Sequence, residues 1–438
     1  MLQPVESCGP QGSPVKPKAW PLRASVLLIV LGTVHYVAGD DLHSDSSGPQ
    51  ALIETSSTVL AACIAIGAAC FYRARPKIRA PYLFLVGTLV LAVAFAGRSW
   101  DPAMSLVRGM LLLLISISTV ALLSTYGLRP LIRNLLNGYL IVILFGLVAS
   151  LFAPDNFPLM LHDPGQEALR ARLHIFKVHP IALADDCVIC LIASVILAGP
   201  WVRVCRAVLL ACLLLTVARA PIILGLTLYA LAQAFTAGNV LRGMKRVGVV
   251  AVVVLASATI IAATAMAAGW TDSEELGAMA VRLVDATRDD QTLTGRTPLW
   301  ATFISDLSLE NFYGYGIAGA RYYLRTLNTW ASHSHNSLLE SIYVSGYLGL
   351  LAMLIAVFGA LMSAFLNWRS FTARVLALAG FYIASAGMME PSWYDASSMI
   401  LLAILCSCPW QALERTPIVS LRRSSTPQFS PARLQSAN

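Results

Sequence analysis

Residues 103–126 read AMSLVRGMLLLLISISTVALLSTY, and Arg108 is the only charge among them. Coiled as a helix, the stretch covers roughly 36 Å, more than the ~30 Å of hydrocarbon in a bilayer. Blocks of the same kind recur on both sides. The apolar runs fall at 22–38, 51–72, 81–97, 103–126, 135–153, 180–199, 204–218, 221–237, 247–268, 337–363, 373–389 and 396–412. The whole chain of 438 residues is 57% hydrophobic and 12% charged, with a mean hydropathy of +0.69. A soluble domain carries about 25% charged residues. Alternating strand patterns are missing, which argues against a β-barrel. Helices satisfy their own backbone polar groups, which lipid cannot do. The expected fold is therefore an all-α polytopic membrane protein of about 12 transmembrane segments, two of them short.

The net charge of +8 does not point to nucleic acid, because the basic residues cluster between the apolar blocks. Nine cysteines are present, and most sit inside those blocks. Cys187 and Cys190 form a CxxC in an expected span with no second pair, so they read as packed small residues rather than a metal or redox site.

Positive charge on connecting loops marks the cytoplasmic side. One set of loops and adjoining helix ends holds Lys16, Lys18, Arg23, Arg73, Arg75, Lys77, Arg79, Arg129, Arg133, Arg203, Arg206, Arg242, Lys245, Arg246, Arg369, Arg374, Arg415, Arg422, Arg423 and Arg433, which is 20 of the 31 basic residues. Both termini are then expected on the cytoplasmic side, with the first block acting as a signal anchor. Residues 204–237 could form one long helix broken at Arg219 and Pro221. Both of its ends are basic, so two short helices meeting near Arg219 keep the parity and put Arg219 at the outer surface. The expected organisation is an N-terminal tail at 1–21, a bundle at 22–268 with an outer loop at 154–179, a large outer loop at 269–336, helices at 337–412 and a tail at 413–438.

The remaining basic residues lie on the outer side: Arg98, Arg170, Arg172, Lys177, Arg219, Arg282, Arg288, Arg296, Arg321 and Arg325, with Arg108 just inside a helix. Arginine has a planar fork that binds phosphate bidentately. The plainer reading is surface charge paired with Asp285, Asp289 and Asp290. In the large loop, Thr271 and Glu274 suit a capping box ahead of an apolar face of Leu276, Met279, Ala280, Leu283 and Val284. Thr297 can cap a second helix with Pro298 at its first position, and Trp300, Phe303, Ile304 and Leu307 give it an apolar face. A flexible turn is expected at Gly314-Tyr315-Gly316. The loop ends Ser332-His333-Ser334-His335-Asn336 before the next span. With Ser334 as the cap, His335 falls in the first helical turn, where the helix dipole disfavours imidazolium, and a neutral imidazole can act as a general base. Histidine and asparagine also decorate helix starts at membrane interfaces without chemistry. Asp185-Asp186 reads as a helix-start feature or as support for the His179 region.

His335-Asn336, nine residues, then Gly346-Tyr347-Leu348-Gly349 resembles the signature of the O-antigen ligase and Wzy-like polymerase superfamily, His-[Asn/Ser/Gln]-x9-Gly-x-x-[Gly/Thr/Tyr]. Gly295-Arg296 through Trp300 and Gly314-Tyr315-Gly316 look like a stretch of that family's large periplasmic loop. Leu215-Thr216-Val217-Ala218-Arg219 resembles its Leu-Thr-x-Ser-Arg, with alanine for serine. Arg172 through His179-Pro180 is similar to the close of its earlier loop, with Ile181 in place of asparagine. The resemblance covers roughly residues 135–365. It implies a GT-C-like fold in a bacterial inner membrane and a glycosyltransferase acting on the periplasmic face. The donor would be an oligosaccharide on undecaprenyl diphosphate, and the acceptor a second glycan. His335, Arg219 and Arg296 would be catalytic, and Arg172, Arg282, Arg288 and Asn336 would bind substrate. No metal or other cofactor is expected. Further partners would be membrane lipid, a chain-length regulator and export proteins. An exopolysaccharide polymerase is the leading expectation; a ligase acting on lipid A core, a protein O-glycosyltransferase and a glycolipid transporter are the alternatives.

Overall fold

The computed structural model describes residues 17–38, 49–76, 78–99, 101–152, 160–161, 172–173, 180–216, 218–237, 296–317, 334–390 and 392–408. These form α1 Trp20–Ala38, α2 Pro49–Phe71, α3 Ala80–Ala94, α4 Pro102–Tyr126, α5 Leu128–Phe152, α6 Pro180–Ser194, α7 Pro200–Leu215, α8 Arg219–Ala237, α9 Arg296–Asp306, α10 Ser337–Leu366, α11 Phe371–Ala386 and α12 Ala396–Ser407. A two-residue antiparallel pair, β1 Met160–Leu161 and β2 Arg172–Leu173, and single 3-10 turns at Ala96–Arg98, Leu309–Phe312 and Ser392–Tyr394 are the other regular elements among the described residues. The fold is thus helical. Eleven of the expected apolar runs coincide with a described helix, and 247–268 lies outside the described residues. Among the described residues, four helical stretches are long and apolar enough to cross a membrane: Ala80–Arg98, Pro102–Tyr126, Leu128–Ala149 and Ser337–Leu366.

Local chemistry sets the helix ends. The Asp101 carboxylate accepts the Met104 N–H at 2.9 Å, Pro102 takes the first position of α4, and Gly127 ends the helix at φ 82. That is an N-cap with proline at N1 and glycine past the end. α5 begins at Leu128, seven residues before the expected 135. Its first turns carry Arg129, Pro130 and Arg133, because proline lacks only a donor that the first turn leaves unpaired anyway. Residues 204–237 are two helices, as parity required, with a break between Leu215 and Arg219.

The packing is that of a protein bathed in lipid. α12 is buried at every residue and is apolar apart from three serines. α10 buries small residues, Gly349, Ala356, Ala360 and Ala364, and exposes Leu351, Phe358, Met362 and Phe365. Small residues let helix backbones approach where no hydrophobic effect drives association: the Thr88 hydroxyl of α3 donates to the Gly349 carbonyl, and the Cys406 thiol of α12 donates to the Ala356 carbonyl. Large apolar side chains likewise face outward on α2, α3, α4 and α5.

Helix direction sorts the connections into two ends. At one end the Lys18 N–H donates to the Tyr72 hydroxyl at 2.8 Å, and the Tyr72 and Tyr126 rings meet at 6.4 Å. Arg79 there reaches Ser363 at 3.0 Å, and Phe235 at the end of α8 touches Trp368 and lies under Arg374. This is the basic end. At the other end stand the starts of α4, α6, α8, α10 and α12. α8 finishes at the basic end and α10 starts at the opposite one.

Asp185 and Asp186 are not at a helix start. Both are buried in the second turn of α6. Tyr382 of α11 donates its hydroxyl to Asp185, and Asp186 bonds Ser397 of α12. A buried carboxylate needs such donors. Cys187 and Cys190 are buried free thiols in the same helix.

Candidate active site at the His335 end of the bundle

Asn336, not Ser334, caps α10. Its side-chain oxygen accepts the N–H groups of Leu338 and Leu339 at 2.9 and 3.3 Å. Ser334 lies ahead of the cap: its hydroxyl donates to Glu340 at 2.8 Å and accepts the Asn336 N–H at 3.3 Å, and its own N–H donates to Glu340 at 3.1 Å. His335 therefore stands just ahead of the helix rather than in its first turn. It adopts φ 49, a left-handed conformation that histidine enters more readily than most residues. Asn336 is 7% exposed, and its amide nitrogen donates to the Met388 carbonyl at 3.3 Å. Asn336 holds the histidine loop, and both ends of its amide are engaged inside the protein.

The loop is stitched to the connection between α11 and α12. The Ser337 N–H donates to the Gly387 carbonyl at 2.6 Å, and its hydroxyl donates to the Glu390 carbonyl at 2.9 Å. This brings the Glu390 carboxylate to 2.9 Å from the His335 Nδ1, with both side chains 15% exposed. In a neutral imidazole, donation of Nδ1–H to this carboxylate leaves the lone pair on Nε2. The geometry thus gives His335 a carboxylate partner, where the sequence reading relied on the helix dipole. The sequence motifs do not include Glu390. Its signal was being the first acidic residue after Glu340, in a short connection between apolar runs.

α9 docks beside the same loop. The Trp300 indole N–H donates to the Ser334 carbonyl at 3.0 Å. Leu299 and Phe303 are buried, with the Phe303 ring edge-on to Tyr343 at 4.9 Å, whereas Ile304 faces outward. The expected face of Trp300, Phe303, Ile304 and Leu307 is therefore rotated, and the helix begins at Arg296 rather than behind a Thr297 cap.

Gly314-Tyr315-Gly316 is not a flexible turn. α10 kinks at Gly346, whose φ 73 and ψ −178 only glycine adopts freely. The kink diverts two helix carbonyls. The Tyr315 N–H donates to Tyr343 O at 2.7 Å and the Gly316 N–H to Val344 O at 3.0 Å. A Cβ at Gly314 would lie 2.3 Å from Val344 O, and one at Gly346 2.2 Å from Phe312 O. Arg98 sits over the Tyr313 and Tyr315 rings at 5.4 and 5.3 Å, joining the end of α3 to the same layer.

The expected arginines divide into two groups. Arg219 is the first residue of α8 and Arg296 the first of α9, one turn before Trp300. α8 meets the start of α11 with its C-terminal end, so its N-terminus and Arg219 share the end of the bundle that carries Glu390 and His335. Arg172 lies in β2, which runs beside α7. Arg282 and Arg288, with the Thr271–Val284 helix expected around them, lie outside the described residues. Among the described residues no three His, Cys, Asp or Glu side chains assemble as a metal-ligand set.

The chain matches no protein-family model and no curated protein. Its site has to be read from its own chemistry.

Proposed function

We propose that this protein is a membrane glycosyltransferase of the periplasmic face, joining undecaprenyl-diphosphate-linked oligosaccharide units into an exopolysaccharide. The observation that carries the reading is the His335–Glu390 pair. A histidine with its tautomer held by a carboxylate, at a helix-bundle end where α8 and α9 begin with arginines, suits a base beside an anion site. In the proposed step the acceptor hydroxyl attacks the anomeric carbon of the donor. Its proton passes to His335 Nε2, the bond to the diphosphate oxygen breaks, and the lipid diphosphate departs. Arg219 and Arg296 balance the charge gathering on that leaving group, with Arg172, Arg282 and Arg288 as further phosphate or sugar contacts. The basic end is assigned to the cytoplasm by the charge on its loops.

The test is a set of chain-length assays in membranes and in vivo. His335→Ala removes general-base assistance, worth about 100- to 10,000-fold in rate. His335→Asn accompanies it because asparagine tolerates positive φ, which separates lost chemistry from a distorted loop. Both variants should reach the membrane at normal levels and make no visible polymer, while lipid-linked single repeat units accumulate. Arg219→Lys and Arg296→Lys keep charge but lose the fork, and should fail in the same way. Accumulation of complete chains on the carrier would reassign the protein to ligation. Wild-type polymer from both histidine variants would remove the assignment.

A further inference from the structure

At the basic end, the starts of α1 and α5 border a cleft of about 640 Å³. Arg23, Arg129 and Arg133 line it, and all three are exposed. Among the described residues none of the three has an acidic partner. The acids with described side chains are Asp101, Asp185, Asp186, Asp306, Glu340, Glu390 and Asp395, and each belongs to a helix end or half nearer His335. The Tyr126 hydroxyl on the same wall is shut off from solvent, yet has no hydrogen-bond partner among the described residues. Such an orphaned donor is uncommon in a folded protein and calls for a partner. The cleft does not end at the charges. It continues along the seam of α1 and α5 on Leu27 and Ile141, the latter 53% exposed.

Three forked cations at the rim and an apolar wall below them match an amphiphile with an anionic head. Arginine binds phosphate through two parallel N–H···O bonds, and basic pockets between membrane helices take up acidic lipid headgroups. We propose that this cleft is a binding site for an anionic phospholipid of the bilayer, its phosphate on Arg23, Arg129 and Arg133 and an acyl chain along Leu27 and Ile141. The site is remote from His335 and does not depend on the glycosyltransferase reading.

Native mass spectrometry of the purified full-length protein tests it, with dioleoyl phosphatidylglycerol and dioleoyl phosphatidylcholine offered in competition. The wild type should retain phosphatidylglycerol with a preference of about 10-fold or more, since each nearby arginine contributes several-fold. The triple variant Arg23→Gln/Arg129→Gln/Arg133→Gln should lose that preference. Arg203→Gln/Arg369→Gln, exposed at the same end but outside the cleft, should keep it. The single variant Arg133→Gln gives an intermediate preference if the triple variant does not fold. Absence of preference in the wild type overturns the proposal, as does equal loss in the control variant. Displacement of the lipid by inorganic phosphate alone would assign the arginines to a free anion and overturn it as well.

Discussion

A histidine can take a proton only through a ring nitrogen that carries a lone pair, and its neighbours decide which nitrogen that is. Here Glu390, 55 residues further along the chain, fixes His335 through Nδ1. Glu390→Gln keeps the shape and removes the carboxylate, so the tautomer and the ring orientation are no longer enforced. In the proposed reaction kcat should fall on the order of 100-fold, with KM for the lipid-linked donor unchanged and Glu390→Asp recovering part of the rate. A matching rise in KM, or an unaltered kcat, would assign Glu390 to structure alone. The histidine was legible in the sequence because it stands in a motif next to an apolar run. Its partner was not, because nothing local to Glu390 records which loop it will face. The cap was misread for a related reason. Ser334 and Asn336 are both good caps, and only in the folded loop does Asn336 face the Leu338 and Leu339 N–H groups while Ser334 faces Glu340.

Among the elements, α10 and the 314–316 segment are locked by two glycines facing one another. Gly346→Ala would force alanine into a conformation costing about 1–3 kcal/mol, with a Cβ 2.2 Å from the Phe312 carbonyl. The variant should melt markedly lower in detergent and accumulate poorly in membranes. Gly87→Ala in α3, with open space around its Cβ, should melt like the wild type or slightly higher. Equal melting of the two variants would show that the kink is dispensable. The sequence showed the two glycine clusters but could not show them in contact. A glycine pair signals flexibility only until another backbone occupies the space its missing side chains leave.

Across the whole molecule, helix direction places Arg75, Gly199 and Arg369 at the basic end, and the connections around Gly97, Ala218 and Met388 at the other. Reporter fusions at the first three positions should read cytoplasmic, and at the last three periplasmic. Equal readings at Gly199 and Ala218 would turn α7 into a segment that does not cross between the ends, and would invert the proposed sidedness downstream of it. At this scale the charge pattern groups the loops by composition, and the helix directions group them by packing. Their agreement on which loops belong together extends over the described helices.

The sequence by itself determined the helical membrane class, the positions of most helices and the division of the loops into two sets. Those features follow from hydrophobic block length and from the cost of moving charge through lipid, both properties of short stretches. Only the tertiary structure decided the carboxylate behind His335, the cap of α10, the rotation of α9 and the contact between Gly314 and Gly346. Each of these pairs residues from separate segments, and which segments meet is settled by the packing of the bundle as a whole.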